Sequence, residues 1–287
     1  MPPDNFDLAD IRRLVIVAMF SDDALFAQLA LKGGNALNLI YRLGSRSSVD
    51  VDLSLEGDFV DLDDTRERIF RSLRARFSEV GIRVFDEKFS KRPLQAKVGE
   101  ERWGGYQIDF KLISEAKYNS MAADLERARR EALVIGPGNQ RIFGIQISKH
   151  EFCRGKVETD FQDYSIFVYT PEMIAIEKMR AICQQMPEYP LRRYSTPRAR
   201  DFYDIHSTVT GVGVNLSSAE SADLVRNIFA AKDVDLSLLS KISQYREFHR
   251  QDWPAVELTV SEGLKGFDFY FDFVIEQTQL LKALWEK

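Results

Sequence analysis

The sequence contains few cysteines and histidines, which limits the covalent and metal-bound stabilisation open to it. It has two cysteines, Cys153 and Cys183, and three histidines. The two cysteines are 30 residues apart, and the Cys and His residues do not form the two closely spaced ligand pairs that are typical of a structural zinc site. We therefore predict no disulfide framework and no zinc site, and expect two plain buried thiols.

Long hydrophobic runs are also absent. The longest apolar stretches, such as residues 14–20, are far too short to span a bilayer. The first residues do not show a basic segment followed by an apolar run, which is the pattern of a secretory signal. We expect a cytoplasmic protein that does not contact a membrane.

An overall excess of positive charge is missing as well. The formal net charge is −5, which argues against a protein coated uniformly in basic side chains to hold nucleic acid. A local basic groove is still compatible with this charge, because arginines cluster in residues 66–76 and 192–200. For the first cluster, a solvated helix face is the favoured interpretation.

The residues that are present indicate a globular chain with room for two domains. Apolar residues make up 45% and charged residues 29% of the 287 residues, a profile typical of globular proteins. Alternating and helical patterns mix up to about residue 140, and helical spacing dominates beyond it. We predict an α+β fold, with a mixed sheet flanked by helices in residues 1–140 and a mainly helical lobe in residues 141–287.

Residue periodicity predicts the individual elements of this fold. Helices are expected over residues 7–31, with a break near 21–23, and over 61–80, 171–186, 201–209, 218–231 and 267–285. A glycine pair at Gly33 and Gly34 opens a segment of good helix formers. Strands are expected over residues 49–55, 82–85, 94–98 and 106–113.

Three aspartates lie on the polar faces of two of these strands. Asp50 and Asp52 are two residues apart, so they point to the same side of a strand with Cα atoms about 7 Å apart. Asp109 occupies the polar face of the later strand, between Gln107 and Lys111. Three acidic groups that converge on one site would repel each other unless a cation lay between them. This pattern predicts a magnesium site, since carboxylates are ligands that Mg²⁺ prefers.

The glycine pair adds a phosphate-binding element. Because Gly33 and Gly34 lack side chains, the backbone can approach a triphosphate closely, and the helix that follows presents free N–H groups to an anion. Metal-binding carboxylates and phosphate donors are what phosphoryl and nucleotidyl transfer require of a protein.

Two sequence motifs contain these residues. The first is Lys32-Gly33-Gly34-Asn35-Ala36-Leu37 followed by Arg46-x-Ser48-x-Asp50-x-Asp52-Leu53. The second is a helical lysine, Lys178, followed by an arginine-rich loop that leads to Asp201. Together they resemble the motifs of the AbiEii/AbiGii-type nucleotidyltransferase toxins, in the DNA polymerase β-like nucleotidyltransferase superfamily. The match covers most of residues 31–205, and it implies a polymerase β-like sheet in the N-terminal part.

The resemblance also implies a role for each matching residue. Asp50 and Asp52 would bind magnesium, with Asp109 as a further carboxylate. Lys178 would stabilise the triphosphate or the leaving pyrophosphate, and Asp201 matches the family's late functional aspartate. The nucleotide-binding candidates are Lys32, Gly33, Gly34, Asn35, Arg46 and Ser48. Asn35 departs from the family, which has Ser or Thr after the glycine pair, although an amide can still donate to phosphate.

Simpler interpretations compete with several of these roles. Lys178, taken alone, fits a solvent-facing lysine, and Asp201 fits a residue that caps the next helix. Arg46 could be a surface charge or could pair with Asp50. The arginines of the later loop are candidate contacts to RNA phosphates: Arg192, Arg193, Arg198 and Arg200.

The expected reaction is transfer of a nucleoside monophosphate from a nucleoside triphosphate to an acceptor, with Mg²⁺ as cofactor. In those members of the resembled family whose activity is known, the acceptor is the 3′ end of tRNA. The resemblance therefore implies a growth-arresting toxin of a toxin–antitoxin or phage-defence system, with a cognate antitoxin protein as partner. Two alternatives stay open: a small-molecule acceptor, as in antibiotic-modifying nucleotidyltransferases, and a non-catalytic nucleotide-binding or regulatory module.

Overall fold

A computed structural model describes residues 6–43, 49–95, 102–121, 124–191, 194–260 and 263–286. The predictions for Arg46, Ser48, Arg192 and Arg193, and most of the expected strand 94–98, lie outside the described residues. The chain divides into two compact units. The first comprises residues 1–31, 48–149 and 158–168, and the second comprises residues 32–47, 150–157 and 169–287.

Seven strands and twelve α-helices make up the described structure. The strands are β1 Leu29–Lys32, β2 Val51–Leu55, β3 Ile82–Arg92, β4 Gly105–Ser114, β5 Phe143–Ser148, β6 Val157–Phe161 and β7 Tyr164–Val168. The helices are α1 Leu8–Phe20, α2 Asp23–Gln28, α3 Gly33–Asn35, α4 Leu62–Ser78, α5 Glu115–Asn119, α6 Leu125–Glu131, α7 Pro171–Cys183, α8 Ala199–Val212, α9 Ala219–Ala230, α10 Arg246–Arg250, α11 Trp253–Glu257 and α12 Phe267–Leu280. A π-helical turn, Ala36–Ile40, continues α3, and a 3₁₀ segment, Leu236–Tyr245, precedes α10.

The strands form one mixed sheet in the order β3-β4-β5-β2-β1-β7-β6. Strand β2 pairs parallel with β5, and β1 pairs parallel with β7, whereas β4 pairs antiparallel with both β3 and β5. The expectation of a mixed sheet flanked by helices, in an α+β fold, is confirmed.

Alternation along the central strands gives the sheet one apolar and one polar face. Phe110 of β4 and Phe143 of β5 are fully buried, with ring centroids 5.5 Å apart. Phe77 of α4 packs edge-on against Phe110 at 6.1 Å. Because side chains alternate between faces along a strand, the residues next to Phe110 and Phe143 point away from α4. The candidate carboxylates lie on that opposite face.

Helix α4 forms where the sequence predicts it. Asp61 caps its N-terminus by accepting from the N–H groups of Asp63 and Asp64. The side chains Ile69, Leu73 and Phe77 recur at helical spacing and are fully buried.

The second unit is built around an aromatic and aliphatic core on α7, α8 and α12. Phe202 of α8 stacks on Phe271 of α12 at 5.0 Å and meets Phe267 edge-on at 5.6 Å. Met173 and Met179 of α7 are fully buried. Thr170 caps α7 by accepting from the N–H of Met173, and Pro171 occupies the first turn, where its missing N–H is tolerated.

The expectation of mainly helical structure beyond residue 140 is wrong for residues 143–168. Strands β5, β6 and β7 lie there, and β5 fills the position between β4 and β2. A division at residue 140 would remove β5 from the sheet of the first unit, whereas residues 32–47 belong to the second unit. The expected helix over residues 7–31 breaks at Ser21 and Asp22, as predicted, but its last residues form β1 instead of helix.

Both cysteines are buried and free, as predicted. Within the described ranges, no helix is long and apolar enough to cross a bilayer.

Candidate active site

Two adjacent rows of residues cross the polar face of the sheet and contain the predicted carboxylates. In the first row, Asp52 of β2 lies beside Gln146 of β5, which lies beside Gln107 of β4. In the second row, Asp109 of β4 lies beside Gly144 of β5. Residues paired across a ladder share a face, so the sheet brings Asp52 and Asp109 to the same surface.

Gly144 is the residue that lets Asp50 join this group. A Cβ atom at position 144 would lie 2.7 Å from Oδ1 of Asp50 and 2.9 Å from Nε2 of Gln107. The carboxylate of Asp50 and the amide of Gln107 thus approach each other over a residue that has no side chain. A side chain at residue 144 would displace one or both of these groups, because non-bonded heavy atoms do not tolerate such distances.

Hydrogen bonds hold two of the carboxylates in place. Gln107 donates from Nε2 to Oδ1 of Asp109 at 2.7 Å. Gln146 donates from Nε2 to Oδ2 of Asp50 at 3.4 Å, and the N–H of Gly144 also donates to that carboxylate. Asp50, Asp52 and Asp109 are each half-buried.

The electrostatics of Asp50 indicate a site suited to a cation. Burial raises the pKa of Asp50, the amide of Gln146 opposes that shift, and the negative charge of Asp109 adds to it. A carboxylate that is disfavoured as an anion by burial and by a like charge gains stability from a bound cation.

The carboxylate and amide oxygens of this surface are the kind of ligand atom that Mg²⁺ prefers. Among the described residues, no group of three or more Asp, Glu, His or Cys side chains is arranged to hold a metal ion. Mg²⁺ usually needs only one or two protein carboxylates, with water and substrate phosphates completing the octahedron. Asp50 and Asp109, beside the amide of Gln107, meet that requirement.

Sequence reasoning missed Gly144, Gln107 and Gln146 as site residues. The polar alternation of the strand that carries Asp109 includes Gln107, so a signal for it was present. Residues 143–148 also alternate, with Phe143, Ile145 and Ile147 buried on one face. That pattern would have identified β5 and placed Gly144 and Gln146 on the carboxylate face.

A second group of predicted residues lies in the second unit, around Lys178 of α7. Its Nζ donates to Oδ1 of Asp201 at 3.0 Å and to Oδ2 of Asp204 at 2.7 Å. Arg198 donates from Nε to the other oxygen of Asp201. Burial lowers the pKa of Lys178, but the charges of Asp201 and Asp204 outweigh that effect and raise it. The ammonium therefore stays protonated.

These contacts contradict the simpler interpretations of Lys178 as a solvent-facing residue and of Asp201 as a helix cap. Only 12% of the Lys178 side chain is exposed, so it is not a solvent-facing lysine. Asp201 lies in the first turn of α8, but α8 has no side-chain cap, and Asp201 bonds to Lys178 and Arg198 instead. Both residues belong to a buried ion-pair group, the kind of arrangement that is costly unless fully paired.

The glycine pair follows a buried lysine. Lys32 donates from Nζ to Oε1 of Glu177 at 2.5 Å, and Nζ lies 3.5 Å from Oε1 of Glu151. Gly33 has a φ of 68°, which favours glycine, and Gly34 and Asn35 complete the short helix α3. Lys32 and Asn35 are 7% and 0% exposed, whereas Gly33 and Gly34 are half-buried.

The ion pair of Lys32 is part of a larger buried charge cluster. Glu151 accepts from both terminal nitrogens of Arg180, at 2.7 and 3.3 Å, and lies 3.5 Å from Nζ of Lys232. Although burial would raise the pKa of Glu151, Arg180, Lys32 and Lys232 lower it. This cluster fixes the lysine that precedes the glycine pair.

The first arginine cluster lies on the outer face of α4, as its helix-face interpretation predicted, and its side chains also pair with acids. Arg68 bonds to Asp64 and Asp22, and Arg74 bonds to Glu87 on β3. In the second cluster, Arg198 bonds to Asp201, and Arg200 is half-buried in the first turn of α8.

Comparison with known proteins identifies the class and then the family. The family described as "Nucleotidyl transferase AbiEii toxin, Type IV TA system" matches residues 15–272, which places the chain in the nucleotidyltransferase class. Since the match spans most of the sequence, the chain belongs to the AbiEii nucleotidyltransferase toxin family. The resemblance drawn from its motifs is confirmed. No curated protein matches the chain in sequence.

Three solved structures are similar in fold at low identity. JHP933 from Helicobacter pylori is 16% identical with a TM-score of 0.49, covering 96% of this chain and 93% of that one. A second H. pylori structure is 15% identical with a TM-score of 0.49, covering 98% and 97%. An antigenic nucleotidyltransferase-like protein from Paracoccidioides brasiliensis is 14% identical with a TM-score of 0.36, covering 88% and 95%.

Proposed function

We propose that the chain transfers a nucleoside monophosphate from a nucleoside triphosphate to an RNA acceptor, the 3′ end of tRNA, in a Mg²⁺-dependent reaction. The observation that carries this proposal is the carboxylate surface of the sheet. Asp50 and Asp109 lie beside Gly144 and Gln107, with Asp52 in the adjacent row.

The chemistry of nucleotidyl transfer explains why such a surface is needed. An acceptor hydroxyl oxygen forms a bond to the α-phosphorus, the bond from that phosphorus to the bridging oxygen breaks, and pyrophosphate leaves. The hydroxyl proton passes to one of the carboxylates. When bound, Mg²⁺ would stabilise charge on the reacting phosphate. We assign Asp50 and Asp109 to hold it, with Asp52 as a further carboxylate in the adjacent row of the same face.

Lys178 of the second unit is proposed to be required for the same reaction. An ammonium has three N–H donors, and Asp201 and Asp204 accept two of them. The two aspartates keep the lysine charged and fixed, so it can donate to a phosphate oxygen without reorganisation. Gly33 and Gly34 are proposed to contact phosphates through their backbone N–H groups.

The family supports a proposal for the biological role. A toxin of a type IV toxin–antitoxin system that adds nucleotides to tRNA 3′ ends would block aminoacylation and so arrest growth, and we propose a phage-defence context for it. The partner would be a cognate antitoxin encoded beside it.

The acceptor can be tested with purified protein, Mg²⁺ and each of the four α-labelled nucleoside triphosphates. Total tRNA is supplied either intact or after periodate oxidation, which destroys the 3′-terminal diol. We expect label on intact tRNA only, and loss of labelling in Asp50→Asn and Lys178→Met. Exposed Asp63→Asn in α4 and Lys282→Met are matched controls that should label as the wild type does.

Other outcomes distinguish the alternatives. Label on oxidised and intact tRNA alike would contradict the 3′ end as the site. Label on an aminoglycoside, and none on tRNA, would show a small-molecule acceptor. Nucleotide binding without any labelled product would show a binding or regulatory module.

A further inference from the structure

Gln107 stands out on the carboxylate face because its amide is buried and only half satisfied. The residue is 4% exposed. Its Nε2 donates to Asp109 at 2.7 Å, but its Oε1 has no hydrogen-bond partner in the part of the chain that the structure describes. A buried acceptor without a partner is costly, and in native proteins it usually has a function or a bound ion or water to explain it.

The position of the amide relates this unpaired oxygen to the carboxylates. Nε2 of Gln107 and Oδ1 of Asp50 both lie within 3 Å of the point where a Cβ of Gly144 would be. The same Nε2 contacts Asp109. The amide therefore lies between the two carboxylates whose mutual repulsion helps to raise the pKa of Asp50.

An amide group placed there can serve the site in two states. Without a cation, its N–H₂ donates to Asp109 and stabilises that anion. With a cation between Asp50 and Asp109, the carboxylates no longer need the donor, and rotation of the amide about its last bond turns its oxygen towards the cation. Amide oxygens are hard ligands that suit a divalent cation of this kind.

We propose that Gln107 is a further residue of the cation site, supplying its amide oxygen to a divalent cation held by Asp50 and Asp109. This inference rests on the proposed function for the identity of the cation. Binding of a cation at this site does not depend on that function. It also accounts for a site that lacks a third acidic, histidine or cysteine ligand among the described residues.

The test measures Mn²⁺ binding to the purified full chain by the loss of the free-ion electron paramagnetic resonance signal. Gln107→Met has similar length but neither amide group, and we expect it to weaken Mn²⁺ affinity about tenfold or more. Gln107→Glu loses the donor and keeps the oxygen, so it should bind Mn²⁺ at least as tightly as the wild type. Gln279→Met, on the exposed surface of α12, is the matched control.

The Mn²⁺ affinities of Gln107→Met and Gln107→Glu show whether Gln107 is a cation ligand or only a structural residue. Circular dichroism melts without metal identify variants that do not fold. If Gln107→Glu does not fold, the test uses Gln107→Met alone, because that variant adds no charge. The proposal is overturned if the wild type does not bind Mn²⁺, if Gln107→Met binds like the wild type, or if a folded Gln107→Glu binds as weakly as Gln107→Met.

The result is independent of nucleotidyl transfer. If the Gln107 variants behave as expected and no nucleotide is transferred, the inference stands and the proposed function fails. If nucleotides are transferred and Mn²⁺ affinity does not depend on residue 107, the proposed function stands and the inference fails.

Discussion

Gly144→Ala is the substitution that most sharply separates activity from stability in this protein. The new methyl group would lie 2.7 Å from Oδ1 of Asp50 and 3.1 Å from its Cγ. Since non-bonded heavy atoms prefer about 3.5 Å or more, the carboxylate must retreat by most of an ångström. The amide of Gln107, at 2.9 Å, must shift as well.

The two consequences differ in size. Overpacking of this kind costs about 1–3 kcal/mol, and the lower entropy of the unfolded alanine chain offsets about 0.4–1 kcal/mol of it. The melting temperature should therefore fall by only a few degrees. Displacement of a catalytic group by about 1 Å can cost about 100-fold in rate, so nucleotidyl transfer should fall by about that factor.

The assay compares pyrophosphate release with the thermal melt of each variant. Gly57→Ala is the matched control, because a Cβ at residue 57 would have no atom within 4 Å. Activity of Gly144→Ala within twofold of the wild type would refute the reasoning. So would a loss of activity that is matched by global unfolding.

Three further substitutions test the buried charges of the second unit. Lys178→Met should abolish transfer and lower the free energy of unfolding by about 3–5 kcal/mol, because it leaves Asp201 and Asp204 without their shared cation. Glu151→Gln should cost a similar amount in urea unfolding, because Glu151, 4% exposed, balances three cationic side chains. His249→Gln should flatten the pH dependence of stability, because burial lowers the pKa of His249 to about 4.

The sign of the histidine effect follows from proton uptake on unfolding. The unfolded chain binds a proton near pH 6.5, whereas folded His249 does so near pH 4. The contribution of neutral His249 to the free energy of unfolding is therefore complete above about pH 6.5. It is lost as pH falls towards 4, by up to about 3 kcal/mol. Protonation would also break the bond in which its Nδ1 accepts from the N–H of Arg198 at 3.1 Å.

Each of these expectations has a clear contrary result. Exposed Lys282→Met and Glu158→Gln are the controls for Lys178→Met and Glu151→Gln. If a substitution at Lys178 or Glu151 lowers the free energy of unfolding no more than its control does, the assigned burial is contradicted. For the histidine, wild type and His249→Gln with equal slopes of stability between pH 4 and 6.5 would contradict it.

The sequence predicts the elements whose periodicity is strong and local. Helix α4 and strand β2 form where their patterns indicate, and the break after α1 falls at Ser21 and Asp22. The short strands were harder to predict. The four residues of β1 follow a helical pattern and are fully or almost fully buried, so they show no alternation between faces.

The candidate site could be predicted only in part, because it depends on which strands are neighbours in the sheet. Asp50, Asp52 and Asp109 could be found from their strands, because alternation fixes the face of each side chain. That Gly144 lies between two carboxylates depends on β5 pairing with both β2 and β4, at separations of about 90 and 35 residues along the chain. The contacts of Lys178 with Asp201 and Asp204 likewise depend on the packing of α7 against α8.

The measurement that tests the central claim most directly uses two labels on the same nucleoside triphosphate. Purified protein, Mg²⁺ and tRNA are incubated with α-labelled or γ-labelled nucleotide, beside Asp50→Asn and Asp109→Asn. Nucleotidyl transfer predicts that the α label enters RNA, that the γ label leaves as pyrophosphate, and that both variants lose the reaction. Transfer of the γ label to an acceptor, or full α labelling by both variants, would contradict the claim.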